Sequence, residues 1–178
     1  MVSALPAELV AVLPPASQFT KREFRDAVGQ FLTGVTVVTI NGVHGLHGVT
    51  VNSFTSLSLD PPMVLVCLDA SARSALLVAN AGKFAVNILA RSQAEVGRWF
   101  ASKDRPNGSA SFAHVPYRFG VTGAPLLEGT VAYLDCTLVR SVLAGDHVIF
   151  IGEVLDLAVN EYADRPLAFH SGRMYSVC

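Results

Sequence analysis

Charge is scarce in this chain. Lys and Arg number 13 and Asp and Glu 14 among 178 residues, a charged fraction of 15% with a formal net charge of −1. A nucleic-acid-binding protein would gather a basic excess on one face, so no nucleic-acid partner is expected. Cysteine is sparse too. Cys67, Cys136 and Cys178 are far apart and odd in number, with no CxxC pair and no Cys/His spacing of a zinc site. That points to reduced thiols in a cytoplasmic protein with no metal. Apolar runs are short, and none approaches the roughly 20 residues that cross a bilayer as a helix, so no membrane is expected. The opening "MVSALPAELVAVLPPASQF" lacks a basic start, carries Glu8 and is broken by Pro6, Pro14 and Pro15. It reads as a loosely ordered arm over residues 1–19 rather than a signal peptide. Phosphate-loop spacing is missing as well: Gly42, Gly45 and Gly48 recur every three residues, which fits neither G-x-G-x-x-G nor GxxxxGK[ST].

Apolar residues, in contrast, make up 51% of the chain, and the mean hydropathy is +0.44. So much apolar surface on so little charge implies burial in an oligomer interface or around a ligand. One domain, residues 20–178, has enough mass for a real core.

Thr20 and Glu23 form a T-x-x-E capping box ahead of Phe24, Ala27, Val28, Phe31 and Leu32, predicting a helix closed by Gly34. "VTVVTI" from Val35 is a β-branched strand that ends at the turn pair Asn41-Gly42. A second strand begins near Leu46, and an Asp60-Pro61-Pro62 turn leads into Met63–Asp69, apolar enough for burial on both faces. Ser71 opens a short helix stopped at Asn80-Ala81-Gly82, and Lys83–Leu89 is another strand. Ser92 and Glu95 repeat the capping box before Val96, Trp99 and Phe100. Residues 102–116 are polar with Gly and Pro, an exposed loop. Strands from Thr130 to Leu143 and from His147 to Val159 flank the turn Ala144-Gly145-Asp146, and Leu167–Val177 forms the last. Strands joined by turns, with helices as decorations, favour a mainly β fold: a closed or partly closed antiparallel barrel.

Three stretches could carry chemistry. From Thr50 to Ser58 the polar groups are small and uncharged, so a planar ligand can approach the backbone and bond its N–H and C=O groups. A flavin ring needs such an edge and apolar cover at its other end; a solvated strand rich in Ser and Thr reads the same way. "DASARS", Asp69–Ser74, starts a helix whose free N–H groups, Ser71, Arg73 and Ser74 could hold a phosphate, or could simply cap the helix. His147 opens a strongly apolar strand, either as a structural partner of Asp146 or as a donor to a ligand. His44 and His47 read as incidental residues of a hairpin turn.

"FRDAVGQFLTGVTVVT", "GVTVNSFTSLSLDPPMVLVCLD", "FAVNIL", "LLEGTVAYLDCTL" and "AGDHVIFIGEV" occur in one order. That order resembles the short-chain flavin reductases, the reductase components of two-component flavin-dependent monooxygenases, over nearly the whole chain from Thr20. The resemblance implies a split β-barrel of Greek-key, FMN-binding type with a few short helices, assembled as a homodimer. It implies FMN or FAD as the flavin, NADH or NADPH as the electron donor, and a separate flavin-dependent oxygenase that receives the reduced flavin. By that likeness Asn52, Ser53, Phe54, Thr55, Ser56, Cys67, Leu68 and Asp69 contact the flavin, and Arg73 and Ser74 hold its phosphate. His147 is the catalytic candidate beside the nicotinamide, while Phe169, His170, Gly172 and Arg173 help to form the dinucleotide pocket. The implied reaction is hydride transfer from nicotinamide C4 to flavin N5. Family members commonly place an arginine before the glycine of the last motif and an aromatic after it, where this chain has Ser171 and Met174. A non-catalytic flavin-binding or flavin-sensing protein is the alternative on the same barrel. A pyridoxamine-phosphate-type oxidase would need a basic phosphate cluster, for which Lys103–Arg105 is the candidate.

Overall fold

The computed structural model describes residues 18–176. Of the arm read over 1–19, all but the last two residues lie outside them. Helix α1 (Lys21–Val28) starts at the capping box: the Thr20 hydroxyl accepts from Glu23 N–H at 3.2 Å, and the Glu23 carboxylate accepts from Thr20 N–H at 2.8 Å. The helix stops at Gly29, five residues before Gly34, and Gly34 instead lies in β1 (Thr33–Gly34). None of its residues is buried, so its apolar stripe stays at the surface.

The remaining elements follow as strands β2 (Thr36–Gly42), β3 (Gly45–Val51), β4 (Phe54–Leu59) and β5 (Pro62–Asp69), helix α2 (Arg73–Ala81), strand β6 (Lys83–Ile88) and helix α3 (Ala94–Ala101). Then come the short strands β7 (Tyr117–Phe119) and β8 (Pro125–Leu127), the long pair β9 (Ala132–Ala144) and β10 (His147–Val159), and the hairpin β11 (Leu167–His170) and β12 (Arg173–Ser176). Seven strands form one antiparallel sheet in the order β3-β2-β6-β9-β10-β5-β4. Its two edges, β3 and β4, do not pair, so the sheet is not a closed barrel. Only Asn52 and Ser53 separate those edge strands in the chain, so the sheet must curl until its opposite edges meet at one corner. Register shifts between Ile151 and Gly152 and between Val154 and Asp156 add bend to the long pair.

The curl encloses one core: Val38, Ile40, Val64, Val66, Leu68, Phe84, Val86 and Phe150, capped by Leu77 and Val78 of α2. A second core lies outside, where Phe100 of α3 and Phe112 pack on Val35, Val37 and Leu46. Gly48 is required at that contact, because a Cβ there would stand 2.5 Å from the Phe100 ring. Asn87, fully buried, ties this layer together: its amide donates to Val37 C=O at 3.1 Å and Thr39 Oγ1 at 3.0 Å, and its carbonyl accepts from Leu127 N–H at 2.7 Å.

Several local expectations are corrected. Burial alternates along β5, with Val64, Val66 and Leu68 inside and Leu65 and Cys67 half-buried, because only the inner face of the curl is covered there. Helix α2 begins after Ala72 rather than at Ser71, whose N–H and hydroxyl both donate to the Asp69 carboxylate. The Ser92 box does not form; Gln93 accepts from Ala90 N–H at 3.0 Å, and Glu95 pairs with Arg98. Within 102–116, a 3-10 turn at Gly108–Phe112 drives Phe112 and Val115 into the outer core, so that loop is not wholly exposed. The turn between β2 and β3 falls at residues 43–44, one pair beyond Asn41-Gly42. The last strand is a hairpin, folded back at Ser171 (φ 46°) and Gly172 (φ 78°). Among the described residues, no helix is long and apolar enough to cross a membrane.

Candidate functional site

The corner where the sheet edges meet is also where the hydroxyl-rich stretch lies. Asn52 and Ser53 make the two-residue crossing, and Phe54, Thr55 and Ser56 begin β4 opposite Val66, Leu65 and Val64. Ser53 binds the neighbouring strand: its hydroxyl donates to Cys67 C=O at 2.8 Å, and its own C=O accepts from Cys67 N–H at 3.2 Å. Asn52 donates from Nδ2 to Thr33 Oγ1 at 3.4 Å. Phe54 packs against the inner core, and Leu68 points into it. What these residues leave at the surface is the Asn52 amide, the Thr55 and Ser56 side chains and the outer edge of β4, on which no strand among the described residues pairs.

A cleft of about 880 Å³ opens beside Asn52. It lies between α1 (Phe24, Val28), Thr33, the turn into β10 (Asp146, His147) and the β11–β12 turn (Phe169, Gly172). Four of the sequence-predicted residues therefore line one space: Asn52, His147, Phe169 and Gly172. That volume suits a drug-sized or larger organic ligand. The floor of α1 is fixed to the hairpin by Ser171 N–H donating to Gly29 C=O at 2.8 Å and by Gln30 Nε2 donating to Ser171 Oγ at 3.3 Å. His170 stands beside Tyr175, with ring centroids 6.3 Å apart, and Arg173 is exposed; neither lines the cleft.

His147 pairs across the sheet with Asp69 and with Ala144, which puts it at the mouth of the curl. Its Nδ1 lies 2.7 Å from Asp146 Oδ1. That hydrogen bond, then the charge of the ring, holds the Asp146 carboxyl below its usual range. Asp69 is lowered chiefly by the two bonds from Ser71. With the Asp146 carboxylate accepting from Nδ1–H, a neutral ring presents Nε2 as an acceptor.

Phosphate chemistry gathers on the other side of the corner. Arg73 at the start of α2 donates to Asn107 Oδ1, and Ser74 beside it is buried. Arg105 donates to two backbone carbonyls, Ser102 and Gly48, and lies over the Phe100 ring. Neither guanidinium has a carboxylate partner among the described ion pairs. Both act on half-buried His47: burial first, then Arg105 and Arg73, push its imidazole down to about 4. Two guanidiniums with no carboxylate partner, one bonded to Asn107 and the other to Gly48 C=O beside His47, have the chemistry that fits a nucleotide phosphate. Arg105, Asn107 and His47 are absent from the sequence-based flavin set. The signal for Arg105 was its place in the one basic cluster of the polar loop. His47 gave none, because its role depends on the loop that folds over it.

Residues 28–177 match the family model of the flavin reductase like domain. The chain belongs to the flavin reductase-like family. A probable flavin reductase of Rhizobium meliloti is 45% identical over 142 residues, which cover 78% of this chain and 44% of that protein. The flavin-dependent monooxygenase reductase subunit HsaB of Mycobacterium tuberculosis is 37% identical over 158 residues, 88% of this chain and 82% of that subunit. Among solved structures, the NADH:FAD oxidoreductase SgcE6 of Streptomyces globisporus, in complex with NAD and FAD fragments, matches with a TM-score of 0.81 and 37% identity over 88% of this chain and 92% of that one. The resemblance drawn from the five motifs is borne out, and this flavin reductase-like chain is an oxidoreductase that acts on flavin.

Proposed function

We propose that the chain uses NADH to reduce FMN or FAD in the cleft beside Asn52 and releases the reduced flavin to a partner oxygenase. The observation that carries this is the convergence of Asn52, His147, Phe169 and Gly172, far apart in sequence, on one space. When bound, flavin and nicotinamide would together supply hydride transfer from C4 to N5.

The chain's own part is placement. The unpaired edge of β4 offers backbone groups to the polar rim of a flavin, and the Thr55 and Ser56 hydroxyls extend that rim. Arg73 and Arg105 hold the phosphate. Phe24, Phe31 and Phe169 exclude water from the cleft. Asp146 fixes the His147 tautomer, and Nε2 accepts from the nicotinamide carboxamide, which orients the ring without requiring a proton to move. A split barrel is the fold that goes with this reading, supported by edge strands separated by two residues. A homodimer is supported by the exposed apolar side chains of α1, and a cytoplasmic setting by the free thiols of Cys67 and Cys136.

Steady-state nicotinamide oxidation with and without added FMN or FAD tests the reading. NADH should be consumed only when flavin is present, and faster than NADPH. A protein that binds flavin but consumes no NADH is the non-catalytic binder instead.

A further inference from the structure

His47 occupies an unusual position for a hairpin histidine. Alternation along β3 turns Leu46, Gly48 and Thr50 to the outer core and α3, and leaves His47 on the face shared with Val49 and Val51, which looks toward α2. The next peptide, Gly48 C=O, is the acceptor of Arg105. The ring therefore sits where β3, the start of α2 and the 102–107 loop converge.

The charges around it are few. Helix α2 contributes Arg73; the loop contributes Lys103, Asp104 and Arg105; the β2–β3 turn carries His44. Helix α3 presents Glu95 and Arg98, which pair with each other, and β5 ends in Asp69, bound to Ser71. Strand β2 and the 3-10 turn Gly108–Phe112 contribute no charge. Of all these groups, only Arg105 and Arg73 join burial in lowering the imidazole. Both would be neutralised by an anion seated between them, and that anion would itself attract a proton to the ring.

On the reading that Arg73 and Arg105 hold the flavin's phosphate, we propose that His47 takes up a proton from solvent as that phosphate seats, so that the site favours the terminal monoester of FMN over FAD and binds FMN more tightly as pH falls. The discrimination follows from charge. A phosphate monoester approaches two negative charges near neutrality, with a second pKa of about 6. Each phosphate of FAD is a diester with one charge, and riboflavin has none. The greater the charge that lands beside His47, the greater its proton uptake and the gain in affinity.

The test is calorimetric titration of the full chain with riboflavin, FMN and FAD, in two buffers of different ionisation enthalpy. It is repeated on His47→Gln and on His47→Asn, with thermal melts to confirm folding. Free FMN's phosphate titrates identically with wild type and variants, so the difference in proton uptake reports the His47–phosphate pair. Wild type should take up more protons than either variant on binding FMN, fewer extra on FAD, and none extra on riboflavin. Between about pH 7.5 and pH 6 its FMN affinity should gain about threefold or more over that of the variants. Equal proton counts and parallel pH profiles would overturn the role of His47 while leaving the phosphate site standing. If FMN binds no tighter than riboflavin, and Arg73→Gln changes neither, the phosphate reading itself fails and the inference with it.

Discussion

Asp146 and His147 are neighbours in sequence, yet what matters is their place in the sheet. His147 stands opposite Asp69 on β5 and Ala144 on β9, so its ring is held at the mouth of the curl, and Asp146 decides which nitrogen carries the proton. Neither group contributes to the core, since both side chains are substantially exposed. His147→Ala should therefore leave folding and flavin affinity unchanged, raise the KM for NADH by about three- to tenfold, as loss of about 0.7 to 1.4 kcal/mol of hydrogen bonding would, and lower turnover. Steady-state kinetics alongside a flavin titration checks both halves; wild-type kinetics would remove His147 from the site. At this scale the sequence was legible where chemistry and local geometry coincide, as in the hydroxyls of 52–56 and the Gly-Asp-His turn. It read His47 only as part of a hairpin turn and was silent on Asn107, whose contact with Arg73 spans 34 residues of chain.

Helix α1 shows how a pattern can reveal an element and leave its surroundings open. Its capping box forms as the pattern demands, but the apolar stripe behind it meets no core: Phe24 is 56% and Phe31 77% exposed. Periodicity reports that a face wants cover, not what covers it. Part of the cover is the cleft, which α1 lines; the proposed dimer would cover the rest with a second copy of the chain. Light scattering of the purified chain should accordingly give twice the chain mass, and a monomer at micromolar concentration would contradict the dimer. Other elements were missed for a related reason. β7 and β8 are three residues each, too short for a period to appear, and they exist because Thr39 and Asn87 bond the backbone at Pro125 and Leu127. The final hairpin reads as one strand although its turn pair, Ser171-Gly172, both at positive φ, is itself a turn signal in the sequence.

Across the whole molecule, the site exists because the sheet curls. Seven antiparallel strands place the first and last hairpin partners, β3 and β4, on opposite edges, while chain continuity through Asn52 and Ser53 forces those edges together. The corner so made, at Asn52 and Ser53, leads into the free edge of β4 and borders the cleft beneath α1. The succession of strands and the preference for a barrel-like sheet were visible in the alternation of apolar runs and turns. Strand order was not, since pairing β6 with β9 and β5 with β10 depends on partners at least 44 residues apart. The central claim is that this corner holds nicotinamide and flavin in one fixed arrangement. The direct measurement is the anaerobic rate of flavin reduction with NADH deuterated at C4 on one face or the other. A single fixed arrangement predicts a primary isotope effect, with deuterium transferred, for one face only. Equal effects from both faces, or reduction no faster than in the absence of the protein, would contradict it.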